Sequence, residues 1–188
     1  MELYTAVLQH QPNHPIAKKR LRELQKELPQ TPPQDEIDAL VNLYHSGQMI
    51  RAEQASRELL KPYPQALVAI NVLGAALRGQ GKLQEAVQAY DKAIQLNPDY
   101  AKAHSNLGNT LLKLGRSKDA EASYRKAIAL KPDYAEAHNN LGNTLEELGK
   151  LEDAEASYRK AIALKPDYAD AHSNLGVTLQ ELGRLEEA

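Results

Sequence analysis

Apolar residues recur along this chain at spacings of three and four, as in Leu107, Leu111 and Leu114, the pattern that lays one buried stripe along an α-helix. Residues 101–134 read AKAHSNLGNTLLKLGRSKDAEASYRKAIALKPDY, and residues 135–168 keep 27 of those 34 letters in place. Residues 169–188 begin a third copy and stop at its twentieth position. Residues 67–100 are a worn copy, and residues 33–66 a more worn one. Self-similarity at this period predicts an all-α solenoid of helical hairpins, each too thin to bury its own apolar face and each stabilised by its neighbours. Such a chain presents a surface and has no enclosed catalytic pocket.

The other recurring letters have physical roles. Gly115, Gly149 and Gly183 stand where the first helix of a hairpin must stop and turn back. Gly108, Ala120 and Ala127 are small enough to let two helices approach closely. Pro132 and Pro166 end the second helix, and the aspartates after such prolines (Asp99, Asp133, Asp167) are placed to satisfy free amides of the next helix.

Counting from the alanine that opens each copy, Leu107, Gly108, Leu111, Ala120, Tyr124, Ala127 and Pro132 hold positions 7, 8, 11, 20, 24, 27 and 32. Leu141, Gly142, Leu145, Ala154, Tyr158, Ala161 and Pro166 repeat them, as do Leu73, Gly74, Leu77, Ala86, Tyr90, Ala93 and Pro98. The copy at 33–66 departs, with Leu40 in the glycine place and Ser56 in the aromatic place. This pattern resembles the tetratricopeptide repeat (TPR) over residues 33–188. The resemblance implies a right-handed superhelix with repeats at 33–66, 67–100, 101–134 and 135–168, a truncated one at 169–188, and an N-terminal half-repeat, capping helix and proline-rich joint in 1–32.

Composition narrows the function. The 188 residues carry 23 basic and 25 acidic side chains, a formal charge of −2, which gives no electrostatic footprint for nucleic acid or an acidic membrane. No apolar run approaches the length of a membrane span and no signal-peptide pattern opens the chain, so the expected location is cytoplasmic. The lack of cysteine excludes disulfides and thiolate metal sites. Gly74–Lys82 (GAALRGQGK) fails as a phosphate loop, because Leu83 stands where a serine or threonine should bind magnesium. His10 and His14 are split by Pro12 and lack the glutamate of a zinc helix. His104, His138 and His172 recur at position 4, but equivalent points on stacked hairpins are at least about 8–10 Å apart, too far for a shared metal. They read as packing residues. The expectation is no enzyme, no cofactor and no metal.

In the family that this chain resembles, the first helix of each hairpin lines a concave groove through positions 2, 5, 6, 9, 12 and 13. Four of the seven differences between the two near-identical copies fall at positions 2, 5, 12 and 13: Lys102 for Glu136, Ser105 for Asn139, Leu112 for Glu146 and Lys113 for Glu147. The packing letters stay fixed while the groove letters vary. Asn106, Asn140 and Asn174 form a ladder at position 6, with Asn109 and Asn143 one turn on and Asn71 in the second repeat. A carboxamide offers both donors and an acceptor, enough to hold a peptide backbone, although such residues also serve as solvated or hairpin-bridging groups. This ladder resembles the TPR arm of O-linked N-acetylglucosamine transferases and their bacterial multi-domain relatives, implying substrate or partner recruitment without the catalytic domain. The lysines and arginines with which TPR cochaperones clamp a carboxylate tail are replaced here by Ser105, Asp170 and Asn174. Groove charge runs from Arg78, Lys102 and Lys113 to Glu136, Glu146, Glu147, Asp170 and Glu181, so a ligand is expected to carry its charges in the opposite order.

A second expectation concerns the ends. Met1–His14 aligns with positions 21–34, Tyr4 in the aromatic place, while Ala188 is position 20. The chain therefore reads as a fragment of a longer array, or as ends that complement one another head to tail, through Tyr4 and Leu8 on one side and exposed Leu175, Leu179 and Leu182 on the other. Ile16–Leu28 is a basic amphipathic helix with Ile16, Leu21, Leu24 and Leu28 as its stripe, and Pro29–Pro33 marks a joint. The leading reading is a protein-binding or peptide-binding arm of a larger bacterial-type protein. A self-assembling head-to-tail scaffold is the alternative.

Overall fold

The computed structural model describes residues 2–27 and 31–184, and every element among them is a helix. The N-terminal pair is α1 (Glu2–His10) and α2 (Pro15–Glu27). Four hairpins follow: α3 (Gln34–His45) with α4 (Met49–Leu59), α5 (Leu67–Gly79) with α6 (Leu83–Leu96), α7 (Ala101–Lys113) with α8 (Ser117–Leu130), and α9 (Ala135–Glu147) with α10 (Leu151–Leu164). The described chain closes on α11 (Ala169–Glu181). From α5 onward each first helix occupies positions 1–13 of the 34-residue register.

Each hairpin turns on a glycine with positive φ, for example Gly115 at φ 71°, where any side chain would be strained. The Arg116 amide reaches back to the Leu111 carbonyl at 2.9 Å, closing the end of α7. Inside each hairpin from α5 onward the position-24 tyrosine is fully buried, and its ring lies flat against the position-8 glycine. A Cβ on Gly108 would stand 2.8 Å from the Tyr124 ring. The room left by the small residue thus goes to an aromatic ring. Ala120 and Ala127 are fully buried beside it.

Each second helix packs between two first helices: α6 on α5 and α7, α8 on α7 and α9, α10 on α9 and α11. Successive first helices also touch, whereas the backbones of successive second helices stay apart. The first-helix layer is therefore the shorter one, and the stack curves around it. The concave face belongs to α3, α5, α7, α9 and α11.

Two local expectations are corrected. The aspartates after the prolines do not cap the next helix: its N-cap is a tyrosine, Tyr100, Tyr134 or Tyr168, without a side-chain hydrogen bond, and the Ala101 amide is met by the Asp99 backbone carbonyl at 3.0 Å. Ile16 belongs to no buried stripe; it is 70% exposed, and its neighbour Ala17 is buried. Leu28 and Pro29 lie outside the described residues, as do the side chains of Leu21 and Leu24. The pair α1 and α2 packs together but makes no close contact with α3–α11 among the described residues. By register α2 is a first helix, yet only six residues separate it from α3, too few for the second helix that would complete a repeat.

The position-4 histidines have a specific role. His104, His138 and His172 each donate from Nε2 to the carbonyl of the proline six residues earlier (Pro98, Pro132 and Pro166) at 2.9, 3.0 and 2.8 Å. Each ties a first helix to the loop that delivers it.

Candidate binding groove

The asparagines of the concave face are neither free nor saturated. Asn106 Nδ2 donates to Asn71 Oδ1 at 2.9 Å, Asn140 Nδ2 to Asn109 Oδ1 at 3.0 Å, and Asn174 Nδ2 to Asn143 Oδ1 at 2.9 Å and Asn139 Oδ1 at 3.2 Å. The ladder therefore runs across repeats, from position 6 of one to position 5 or 9 of the one before. From behind, the buried tyrosines donate into it: Tyr124 to Asn109 Oδ1 at 2.7 Å, and Tyr158 to Asn143 Oδ1 at 2.7 Å. Burial pushes both phenols far above the ordinary tyrosine range, and at Tyr158 the bond to Glu146 adds to it. Two lone pairs are thus filled on Asn109 and Asn143, while their amide N–H groups donate to nothing within the described residues. Those donors, and the side-chain oxygens of Asn106 and Asn174, are what the ladder still offers a ligand; the Asn140 oxygen already accepts from Asn139 at 3.4 Å.

Position 5 is not open groove surface in α5, α7 and α9. Asn71, Ser105 and Asn139 are 5%, 2% and 4% exposed, wedged between successive first helices. The variable letters that do face solvent are Lys102, Lys113, Glu136 and Glu147, joined by Asp170 and Glu181, with Arg78 and Glu146 half-buried. Arg78, Lys102, Lys113, Glu136, Asp170 and Glu181 form no ion pair among the described residues. Glu147 accepts from Ser117 at 3.1 Å, and Glu146 from Tyr158 at 2.8 Å.

Charges that lie between hairpins are handled differently. Glu121 takes Arg125 on one oxygen at 3.0 Å and Lys150 of the next hairpin on the other at 2.8 Å. Glu155 does the same with Arg159 and Arg184, and Glu53 with Arg57 and Lys82, helped by Gln80. Chiefly the bond from Lys82, then those from Gln80 and Arg57, holds the Glu53 carboxyl down to about 2 against the opposing effect of burial. These clamps went unrecognised in the sequence, although their signal is periodic: glutamate at position 21, arginine at 25, and a cation at position 16 of the next copy. The second repeat breaks the pattern with Val87 and Asp91, and Val87 packs into the apolar cluster of Leu111 and Tyr124.

The residues expected to mediate self-association are only partly available. Leu179 is 1% exposed and belongs to the core; it packs inward because position 11 faces the hairpin interior in every copy. Leu175, Leu182, Tyr4 and Leu8 are half-buried. The surface that α11 leaves open is Val177, 45% exposed, and the flank of Gly176, where an added Cβ would meet nothing. Two hollows lie off the concave face, one between α8, α9 and α10 over Ile128, Leu141 and Leu145, the other between α3 and α4 over Leu40 and Leu59. No helix is long and apolar enough to cross a membrane, and no cluster of metal-ligating side chains occurs, among the described residues.

This stack of hairpins, with its aromatic-on-glycine packing and curved first-helix layer, is that of the tetratricopeptide repeat family, and the chain belongs to it: family models described as TPR repeat and tetratricopeptide repeat match residues 74–115, 105–169 and 139–188. Solved structures agree. A crystal structure of MamA protein is similar with a TM-score of 0.69 at 25% identity, covering 82% of this chain and 84% of that one. TTC0263, a thermophilic TPR protein of Thermus thermophilus, has a TM-score of 0.69 at 25% identity over 95% of this chain and 88% of its own. The first TPR of Spaghetti (RPAP3), bound to the HSP90 peptide SRMEEVD, has a TM-score of 0.61 at 26% identity over 62% of this chain and 93% of its own. No curated protein matches the sequence. The family and these neighbours define a protein–protein interaction module.

Proposed function

We propose that the concave face binds an extended protein segment, as the recruitment arm of a longer protein, and that the segment's charges run from acidic over α5 and α7 to basic over α9 and α11. One observation carries this reading. The groove charges make no ion pairs within the described residues, while the glutamates and cations between hairpins are paired into clamps. Charge between hairpins is satisfied internally, whereas on the concave face unpaired charge is sorted by sign, basic on α5 and α7 and acidic on α9 and α11. The half-filled carboxamides beside it can hold a backbone with little regard for sequence. The RPAP3 neighbour supports the mode of use, since an array of this shape there holds a peptide. Its ligand is rich in acid, whereas the basic part of this groove is confined to Arg78, Lys102 and Lys113.

The test is a pair of peptides of equal composition and opposite charge order, measured against the wild type and a charge-swapped variant (Lys102→Glu, Lys113→Glu, Glu136→Lys, Asp170→Lys). Those four side chains are exposed and unbonded, so the swap leaves stacking intact. The wild type should prefer one order and the variant the other. Indifference to order in both would defeat the charge assignment. Removing Asn106 and Asn140 is a poorer test, because both bridge repeats and their loss also loosens the stack.

A further inference from the structure

The second repeat contains a defect that its sister repeats explain. In the fourth repeat the hydroxyl of Tyr158 lies against two acceptors, Asn143 Oδ1 at 2.7 Å and Glu146 Oε2 at 2.8 Å, from positions 9 and 12 of the facing helix. In the third, Tyr124 has the position-9 acceptor Asn109. In the second repeat the equivalent hydroxyl, on Tyr90, is sealed from solvent and has no partner. Its position-9 residue is Ala75, and its position-12 residue is Arg78. A buried hydroxyl without a bond costs on the order of a full desolvation penalty, so such groups call for an explanation.

Arg78 is anomalous too. Arg20, Arg51, Arg57, Arg116, Arg125, Arg159 and Arg184 all make side-chain bonds to an acceptor, whereas Arg78, half-buried on the concave face, makes none among the described residues. It stands at position 12, the place from which Glu146 reaches the Tyr158 hydroxyl in the fourth repeat. One repeat thus has a phenolic donor at position 24 and a guanidinium at position 12, and the acceptor that position 12 supplies in the fourth repeat is missing.

We infer that Arg78 and Tyr90 form a receiving site for a carboxylate of the bound segment, which fills in the second repeat the place that Glu146 fills in the fourth. The inference rests on the groove reading above and adds to it a fixed point of register. A planar carboxylate matches the guanidinium fork in a bidentate pair and leaves a lone pair for the phenol. Arg78 is free to move with the incoming acid, because it breaks no bond in doing so. A carboxylate is favoured over a phosphate because the internal precedent is a glutamate and a single cation faces the site.

The probes are Ac-Ala-Ala-Glu-Ala-Ala-amide, its glutamine counterpart and its phosphoserine counterpart, titrated into the isotope-labelled full chain while side-chain signals of Arg78 and Tyr90 and the amides of Asn106, Asn109 and Asn143 are followed. The glutamate peptide should move Arg78 and Tyr90, bind at least tenfold tighter than the glutamine peptide, and lose that advantage in Arg78→Gln. Arg78→Glu provides a second readout. It supplies the carboxylate in cis, so it should abolish the glutamate preference and raise the melting midpoint, by about 2–4 °C. Equal affinity for glutamate and glutamine, an unchanged preference in Arg78→Gln, binding of the phosphoserine peptide alone, or a lowered midpoint in Arg78→Glu would each overturn the inference. Shifts of the asparagine amides with both carboxamide and carboxylate peptides, without Arg78 or Tyr90, would remove the inference and leave the groove. Silence at every groove signal would remove both.

Discussion

Tyr90 and Tyr124 occupy the same place in adjacent hairpins, equally buried against the equivalent glycines Gly74 and Gly108, and differ in one partner. Removing the hydroxyl should separate them. Tyr124→Phe forfeits a buried hydrogen bond and strands an asparagine lone pair, so urea unfolding should show a loss of about 1 kcal/mol. Tyr90→Phe removes an unsatisfied group and should be neutral or stabilising in the same experiment. A similar contrast holds for glycine. Gly108→Ala drives a methyl into the Tyr124 ring and should cost about 1–3 kcal/mol. Gly176→Ala, with open space beside it, should gain about 0.5–1 kcal/mol from helix propensity. The buried tyrosines, the close-approach glycines and the turn glycines were legible because each follows from the character of its own position. The bonding of the asparagines was not. Whether Asn140 is free or occupied depends on its lying 3.0 Å from Asn109 in the previous repeat, a distance set by how hairpins stack.

At the scale of helices, what joins one hairpin to the next is partly electrostatic. Glu53 sits in the most complete clamp, almost shielded from solvent between Arg57, Lys82 and Gln80, and its carboxyl is lowered from the ordinary 4.5 to about 2. A carboxyl held below its unfolded value contributes stability that is fully present above about 4.5 and drains away as pH falls toward 2. Because both cations are about half exposed, roughly 1–2 kcal/mol is a reasonable share. Glu53→Gln should therefore be less stable than wild type at pH 7 and should show a flatter decline across that acid window; parallel curves would remove the clamp from the account. Helix order and first-helix bounds were readable from the 34-residue period alone. The missing second helix between α2 and α3 was visible only as a proline-rich joint, because a short spacing does not say which half of a repeat has been omitted.

Over the whole molecule, the curvature follows from the difference between the two layers. From α3 onward the backbones of first helices come close to their successors and those of second helices do not, so the first helices form the inner wall. That wall carries unpaired charges sorted by sign, the half-filled carboxamides and the unbonded Arg78, while the ion-pair clamps lie between hairpins. Binding on the inner wall is the central claim. It is tested most directly by mapping amide chemical-shift changes over the full chain as the peptide of preferred charge order is added. The account predicts a continuous footprint on the inner wall, including Arg78, Lys102, Asn109, Lys113, Asn143 and Glu136, with the Glu121 and Glu155 clamps unmoved. A footprint centred on α6, α8 and α10 would contradict it.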